Sequence, residues 1–139
     1  MAEAAPQNAG IRRLVVGGGR APGFPVLAAG DIALNIVTSA NPHLVADIAF
    51  APLRAASCDT IYFERMPFPA FTGSRLDALA ETARLLRPGG RLTIETGWAA
   101  PAELIMARLQ AEGFIIVSAE RNEERGGLFR ILALMPGVL

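Results

Sequence analysis

Arg84-Leu85-Leu86-Arg87-Pro88-Gly89-Gly90-Arg91-Leu92-Thr93-Ile94-Glu95-Thr96 decides the reading of the fold, because it passes from a helical to an extended pattern within a few residues. Upstream of it, Leu76, Leu79, Ala80, Ala83 and Leu86 recur at the three-four spacing of one helical face. Ser74 is placed to cap that helix, Asp77 falls in its positive first turn, and Arg84 and Arg87 fall in its negative last turn. Pro88-Gly89 stops it, and Arg91 to Thr96 follows as a strand. A helix that feeds a strand through a Pro-Gly stop is a building unit of an α/β sheet.

The same alternation continues on both sides. Leu14-Val15-Val16 is a short apolar run that opens into Gly17-Gly18-Gly19, as a buried parallel strand does at its carboxyl end. Pro22, Gly23 and Pro25 then forbid more than about a turn of helix between Arg20 and Gly30. Asp31 to Val37 predicts a second strand, Asn41-Pro42 a turn, His43 to Ile48 a short third strand, and Cys58 to Phe63 a fourth with β-favouring Thr60, Ile61, Tyr62 and Phe63. After Arg91 to Thr96, Pro101 starts a helix that runs to Gly113, and Phe114 to Ala119 and Leu128 to Leu134 are strands separated by the charged turn Glu120 to Gly127. Two consecutive strands at the end predict an antiparallel hairpin that closes an otherwise parallel sheet.

Composition bounds the rest. A chain of 139 residues holds one domain with a core; residues 1–10 read as a flexible tail and 11–139 as the domain. Thirteen positive charges balance thirteen negative ones, so no basic field favours nucleic acid. Every cation is Arg and none is Lys, the mark of codon usage in a GC-rich genome. The lone Cys58 excludes an intrachain disulfide, and a single His without a cysteine cluster predicts no metal site. The first ten residues lack a basic stretch followed by an apolar one, and no apolar run is long enough for a bilayer, so a cytoplasmic protein is expected.

Gly17, Gly18 and Gly19 form either a tight turn or a place where backbone approaches a ligand, and the end of the first strand is where open α/β sheets bind ligands. The order of segments resembles a short subgroup of the class I S-adenosylmethionine (SAM)-dependent methyltransferases. The resemblance rests on Val15 to Gly19, Ala21-Pro22-Gly23-Phe24, Ala33 to Ile36, Leu44 to Ile48, Ala51-Pro52-Leu53, Asp59, and the Arg-Pro-Gly-Gly strand entry, and it covers Ile11 to about Met135. It implies a Rossmann-like, mostly parallel sheet with a C-terminal antiparallel hairpin and shortened or missing N-terminal helices. It also implies SAM as cofactor, bound by Gly17, Gly18 and Gly19 at the methionine part, Asn35 at the ribose, Asp47 and Ile48 at adenine, and Tyr62 and Phe63 beside the methyl group, with Glu64 as the candidate catalytic base.

Three departures from that pattern bear on activity. Val16 stands where an acid often precedes the glycines, Asn35 replaces the ribose carboxylate, and the polar motif after the fourth strand reads Phe63-Glu64-Arg65-Met66-Pro67. Asn35 can accept at its carbonyl oxygen but lacks the charge and the second equivalent oxygen. Each candidate also has a structural role open to it: Asn35 as a strand-end residue, Asp47 as a cap, Glu64 as an ion-pair partner, Trp98 as a buried anchor, His43 as an idle loop imidazole and Cys58 as a packed thiol. With only two helices in view, Leu14, Val16, Ile32, Leu34, Ile36 and Val45 would leave apolar sheet uncovered, which predicts a homodimer or a protein partner, or else Pro-rich loops (Ala21 to Leu27, Met66 to Phe71) folded over the sheet. Two functions follow: a SAM-dependent methyltransferase for a large or partner-presented acceptor, or a non-catalytic relative that keeps the sheet as a scaffold.

Overall fold

The computed structural model describes residues 10–64, 77–96, 102–123 and 127–137. They contain strands β1 (Ile11–Val16), β2 (Asp31–Asn35), β3 (Leu44–Val45), β4 (Cys58–Phe63), β5 (Leu86–Thr96), β6 (Ile115–Asn122) and β7 (Leu128–Leu134), with helices α1 (Asp77–Leu85) and α2 (Ala102–Ala111). One sheet runs in the order β3-β2-β1-β4-β5-β7-β6. Its first five members are parallel, and β7 lies antiparallel between β5 and β6. From β1 the chain steps outward to β2 and β3, then returns to β4 on the other side of β1. The carboxyl ends of β1 and β4 therefore flank the point where the strand order reverses, the place where such sheets bind ligands.

Alternation along the strands makes the two faces of this sheet chemically different. Leu14, Val16, Leu34, Ile61, Phe63, Leu92, Ile94, Ile131 and Ala133 form one core with Ala78, Leu79 and Leu85 of α1 and Ala102, Ile105 and Leu109 of α2. Both helices thus lie on one face. The intervening positions Arg13, Tyr62, Thr93, Glu95 and Arg130 face the other side, where they line a single cleft with Pro25 and Glu64. The expected uncovered apolar sheet is therefore only partly present. Leu14, Val16 and Leu34 all point to the helices and are buried, while Ile36 and Val45 at the strand tips are 65% and 55% exposed. Arg20 to Gly30 forms no helix, and its Pro25 comes down beside Arg13 and Tyr62 on the face that, among the described residues, carries no helix.

Several boundaries differ from the sequence reading for local reasons. β2 ends at Asn35 rather than Val37, because the Asn35 side chain accepts from the Val37 N–H at 3.0 Å and turns the chain into a 3-10 turn at Thr38–Ala40. β3 keeps two residues of the predicted six: His43 contributes Nδ1, not backbone, to the Ala33 N–H (2.9 Å), and Asp47 caps a 3-10 turn at Ile48–Phe50. α1 ends at Leu85, and its buried stripe is Ala78, Leu79, Thr82 and Leu85. Thr82 is tolerated there because its hydroxyl donates to the Ala78 carbonyl at 2.7 Å. β5 starts at Leu86, paired with Cys58, and the register shifts before Thr60 pairs with Arg91, so Arg-Pro-Gly-Gly forms an irregular entry to the strand. Ser74, the Met66 to Gly73 loop, Trp98, Pro101 and the tail before Gly10 lie outside the described residues.

The glycine bend is held by contact as much as by conformation. Gly17 has φ of +86°, which glycine adopts without strain, and its N–H donates to the Leu34 carbonyl at 2.8 Å. A Cβ on Gly19 would lie 2.2 Å from the Ala40 carbonyl oxygen. Gly19→Ala is accordingly expected to destabilise the domain by about 1–3 kcal/mol in a denaturant melt; wild-type stability in that variant would show that the bend does not pack on Ala40.

Candidate functional site

The ends of β1, β2 and β3 converge. Gly17, Asn35, Ile36, Ala46, Asp47 and Ile48 line one crevice of about 60 Å³. Asn35 reaches it at the end of β2, but both of its polar atoms are already engaged: Nδ2 donates to the Gly18 carbonyl at 3.1 Å, and Oδ1 accepts from the Val37 N–H. Asp47 follows β3 directly and accepts from the Ala49 N–H at 2.9 Å through Oδ1. Ile36 stands exposed on the rim, with Phe50 (77% exposed) on the turn that Asp47 starts. Sequence reasoning did not assign Ile36 to the site, although its place one residue after the strand-end Asn35 was the available signal.

Gly18 and Gly19 belong to the packing of the bend. A Cβ on Gly18 would lie 2.7 Å from Val15 Cγ1, and Gly19 touches Ala40. Arg20 locks the same contact: its N–H donates to the Ala40 carbonyl (2.9 Å), and its guanidinium donates to the carbonyls of Asn41 (3.0 Å) and Pro42 (3.2 Å). Beside this clamp lies a separate hollow of about 560 Å³ lined by Gly19, Arg20, Phe24, Pro25, Asp31 and His43.

The three residues at the end of β4 go to different places. Phe63 is fully buried against the helices, so its side chain is part of the core. Tyr62 and Glu64 turn to the face opposite α1 and α2 and line the cleft of about 370 Å³ with Arg13, Thr93, Glu95 and Arg130. The Glu64 N–H donates to the Val16 carbonyl at 2.9 Å. Since Val16 also lines the crevice, this bond makes crevice and cleft neighbours.

In the cleft the Tyr62 hydroxyl lies between two carboxylates. It is 2.9 Å from Glu64 Oε1 and hydrogen-bonds Glu95 Oε1. Glu95 is fully buried, and its other oxygen accepts from Arg130 Nη2 at 2.9 Å. Arg13 stacks over the Tyr62 ring, 5.3 Å from its centroid, and pairs with Asp31 at 2.9 Å. One side chain from each of β2, β1, β4, β5 and β7 thus forms a continuous polar line across the sheet. Burial, followed by the hydrogen bonds to Glu95 and Glu64, raises the Tyr62 phenol above its ordinary pKa. Arg13, Thr93, Glu95 and Arg130 were not picked from the sequence, though polar residues at every second position in Arg91 to Glu95 marked that face. Among the described residues no group of three His, Cys, Asp or Glu side chains could hold a metal ion, and no helix is long and apolar enough to cross a membrane.

Neither a protein-family model nor a curated protein matches the sequence. Solved structures do match. A SAM-dependent methyltransferase from Aquifex aeolicus superposes with a TM-score of 0.65 at 16% identity, over 96% of this chain and 88% of that one. The [4+2]-cyclase SpnF gives 0.66 at 15% identity, over 99% and 78%. The candidate methyltransferase bound to the Trm112 methyltransferase activator of Haloferax volcanii gives 0.66 at 12% identity, over 94% and 84%. The chain has the class I methyltransferase-like fold.

Tyr62 is the only tyrosine, so the near-ultraviolet tyrosinate band reports it alone. In alkaline titration that band is expected to stay absent beyond pH ~10, the ordinary phenol value, and to move down in Glu95→Gln; ionisation at the ordinary value in the wild type would contradict the buried hydrogen-bonded hydroxyl. The sign for stability follows: a raised phenol pKa contributes stability below pH ~10 that is lost as pH rises above it, because the unfolded chain releases its proton first.

Proposed function

We propose that the chain is a SAM-dependent methyltransferase. The observation that supports this most is the convergence of Gly17, Asn35, Asp47 and Ile48, from the ends of three adjacent parallel strands, on one crevice at the point where the strand order reverses. In this reading Asp47 and the apolar pair Ile36 and Ile48 hold the adenine, Asn35 takes the ribose, and Gly17 leaves backbone accessible to the methionine part. SAM supplies the methyl group and its own leaving thioether, so the chain's task is alignment. Glu64, tied to Val16 at the crevice wall, is the group that would take the acceptor's proton.

The residues fit the cofactor in chemistry more than in depth. A crevice of about 60 Å³ is smaller than the roughly 300–1,000 Å³ of ordinary ligand pockets, and Asn35 must give up backbone partners to bind a ribose. Affinity is therefore weak in this reading, in the high micromolar range or above. An acceptor too large to need enclosure, or one presented by a partner, suits the missing helices. A homodimer or protein partner could use Ile115, Val117 and Leu134 on the β6–β7 hairpin, which are 55%, 57% and 36% exposed, in a cytoplasmic setting. One observation favours a second reading, a non-catalytic scaffold: both polar atoms of Asn35 serve the chain's own backbone.

Calorimetric titration with SAM and S-adenosylhomocysteine separates the two. Saturable heat is expected, with affinity reduced about tenfold in Asn35→Ala and in Asp47→Ala, the effect of losing a hydrogen bond of roughly 1–1.5 kcal/mol. No heat and no thermal stabilisation at millimolar ligand would leave the scaffold reading.

A further inference from the structure

The hollow beside the glycine-bend clamp is lined by a cation, Arg20, that no acid neutralises among the described residues. Arg20 directs Nε to the Asn41 carbonyl (3.0 Å) and Nη2 to Asn41 Oδ1 (3.3 Å) and the Pro42 carbonyl (3.2 Å), all of them neutral acceptors. A guanidinium has five N–H groups, so the pair on Nη1 remains while the others fix the fork in place. His43 adds a donor to the same lining: Nδ1 accepts from the Ala33 N–H at 2.9 Å, so the neutral ring carries its proton on Nε2. One acceptor stands opposite these donors. Asp31 takes its hydrogen bonds from Arg13 Nη2 and the Ala28 N–H on Oδ2, which leaves Oδ1 for a donor, while the Arg13 ion pair offsets its charge. Apolar wall is supplied by Phe24, Pro22 and Val26, the last 95% exposed.

We propose that this hollow binds an aromatic carboxylate with a hydrogen-bond donor on its ring, of the hydroxybenzoate class, a role separate from methyl transfer. The carboxylate takes Arg20 Nη1 and His43 Nε2, with the bond to the guanidinium charge-assisted. The ring hydroxyl donates to Asp31 Oδ1, and the ring lies against Phe24, Pro22 and Val26. The volume of about 560 Å³ falls within the roughly 300–1,000 Å³ of ordinary ligand pockets. The hollow shares no lining residue with the crevice of Asn35 and Asp47, and it meets the Glu64 cleft at Pro25 and through the Asp31–Arg13 pair. Inorganic phosphate fits it less well, because a second charge is opposed by Asp31 and the apolar wall is left uncovered.

The test is a titration of the whole chain with 3- and 4-hydroxybenzoate, read by calorimetry and by NMR of the imidazole of His43, the only histidine. Benzoate lacks the ring donor, the matching hydroxybenzamide lacks the anion, and inorganic phosphate is the competing ion. Expected at millimolar ligand are saturable heat and a shift of the His43 signals with at least one isomer. Benzoate and the amide should each bind about tenfold more weakly, the effect of losing one hydrogen bond to a charged group. His43→Asn keeps an acceptor for the Ala33 N–H and removes the Nε2 donor, whereas Arg20→Lys keeps the cation and loses the fork. Each variant should melt near the wild type and bind about tenfold more weakly. Absence of saturable binding by both isomers, equal affinity for benzoate or the amide, tighter binding of phosphate, or wild-type affinity in both variants would each overturn the proposal. No readout uses SAM or turnover, so failure here and failure of the methyltransferase reading are separately visible.

Discussion

A carboxylate at the centre of a sheet, with no exposed surface of its own, governs this molecule. Glu95 sits on β5 with Tyr62 on one side and Arg130 on the other. Removing either partner of such a buried pair typically costs roughly 3–5 kcal/mol, because the remaining charge has no water to return to. Among the described residues both helices pack on the opposite face of the sheet. Parallel sheets ordinarily need cover on both faces because both are apolar. Here the second face carries a line of paired polar side chains, Asp31, Arg13, Tyr62, Glu95 and Arg130, with Pro25 of the Pro-rich loop beside it.

The elements that could be read from the sequence were those whose signal is local. The Gly-rich end of β1, the run from Cys58 to Phe63, the closing hairpin and the absence of helix between Arg20 and Gly30 follow from apolar runs and from Pro and Gly positions. What could not be read depended on side-chain hydrogen bonds to backbone and on strand order. The helical stripe of α1 contains Thr82, which looks polar until its hydroxyl bonds Ala78. β3 is short because His43 and Asp47 use side chains where a strand would use backbone. The sidedness of the sheet required knowing that Arg13, Glu95 and Arg130 share a face, and only the strand order β1-β4-β5-β7 brings them together. Within the candidate site, Gly17, Asn35, Asp47 and Ile48 do meet, whereas Phe63 goes to the core and Gly18 and Gly19 serve the bend.

Fold and chemistry are therefore related here only through particular side chains. The same architecture carries a cyclase as well as methyltransferases among the structures it resembles, and a superfold does not choose a reaction. The strand tips bring Gly17, Asn35, Asp47 and Ile48 to one crevice, and the adjoining sheet face carries Arg13, Tyr62, Glu95 and Arg130. The backbone bond from Glu64 to Val16 is the seam between these two environments.

The clamp at the glycine bend joins two stretches of chain that the sequence keeps apart. Gly19 rests on Ala40, and Arg20 ties its own segment to Ala40, Asn41 and Pro42, so the bend after β1 is fastened to the connection from β2 to β3. A substitution in either stretch is therefore felt by the other, and the strand tips inherit their spacing from a contact that neither stretch makes alone.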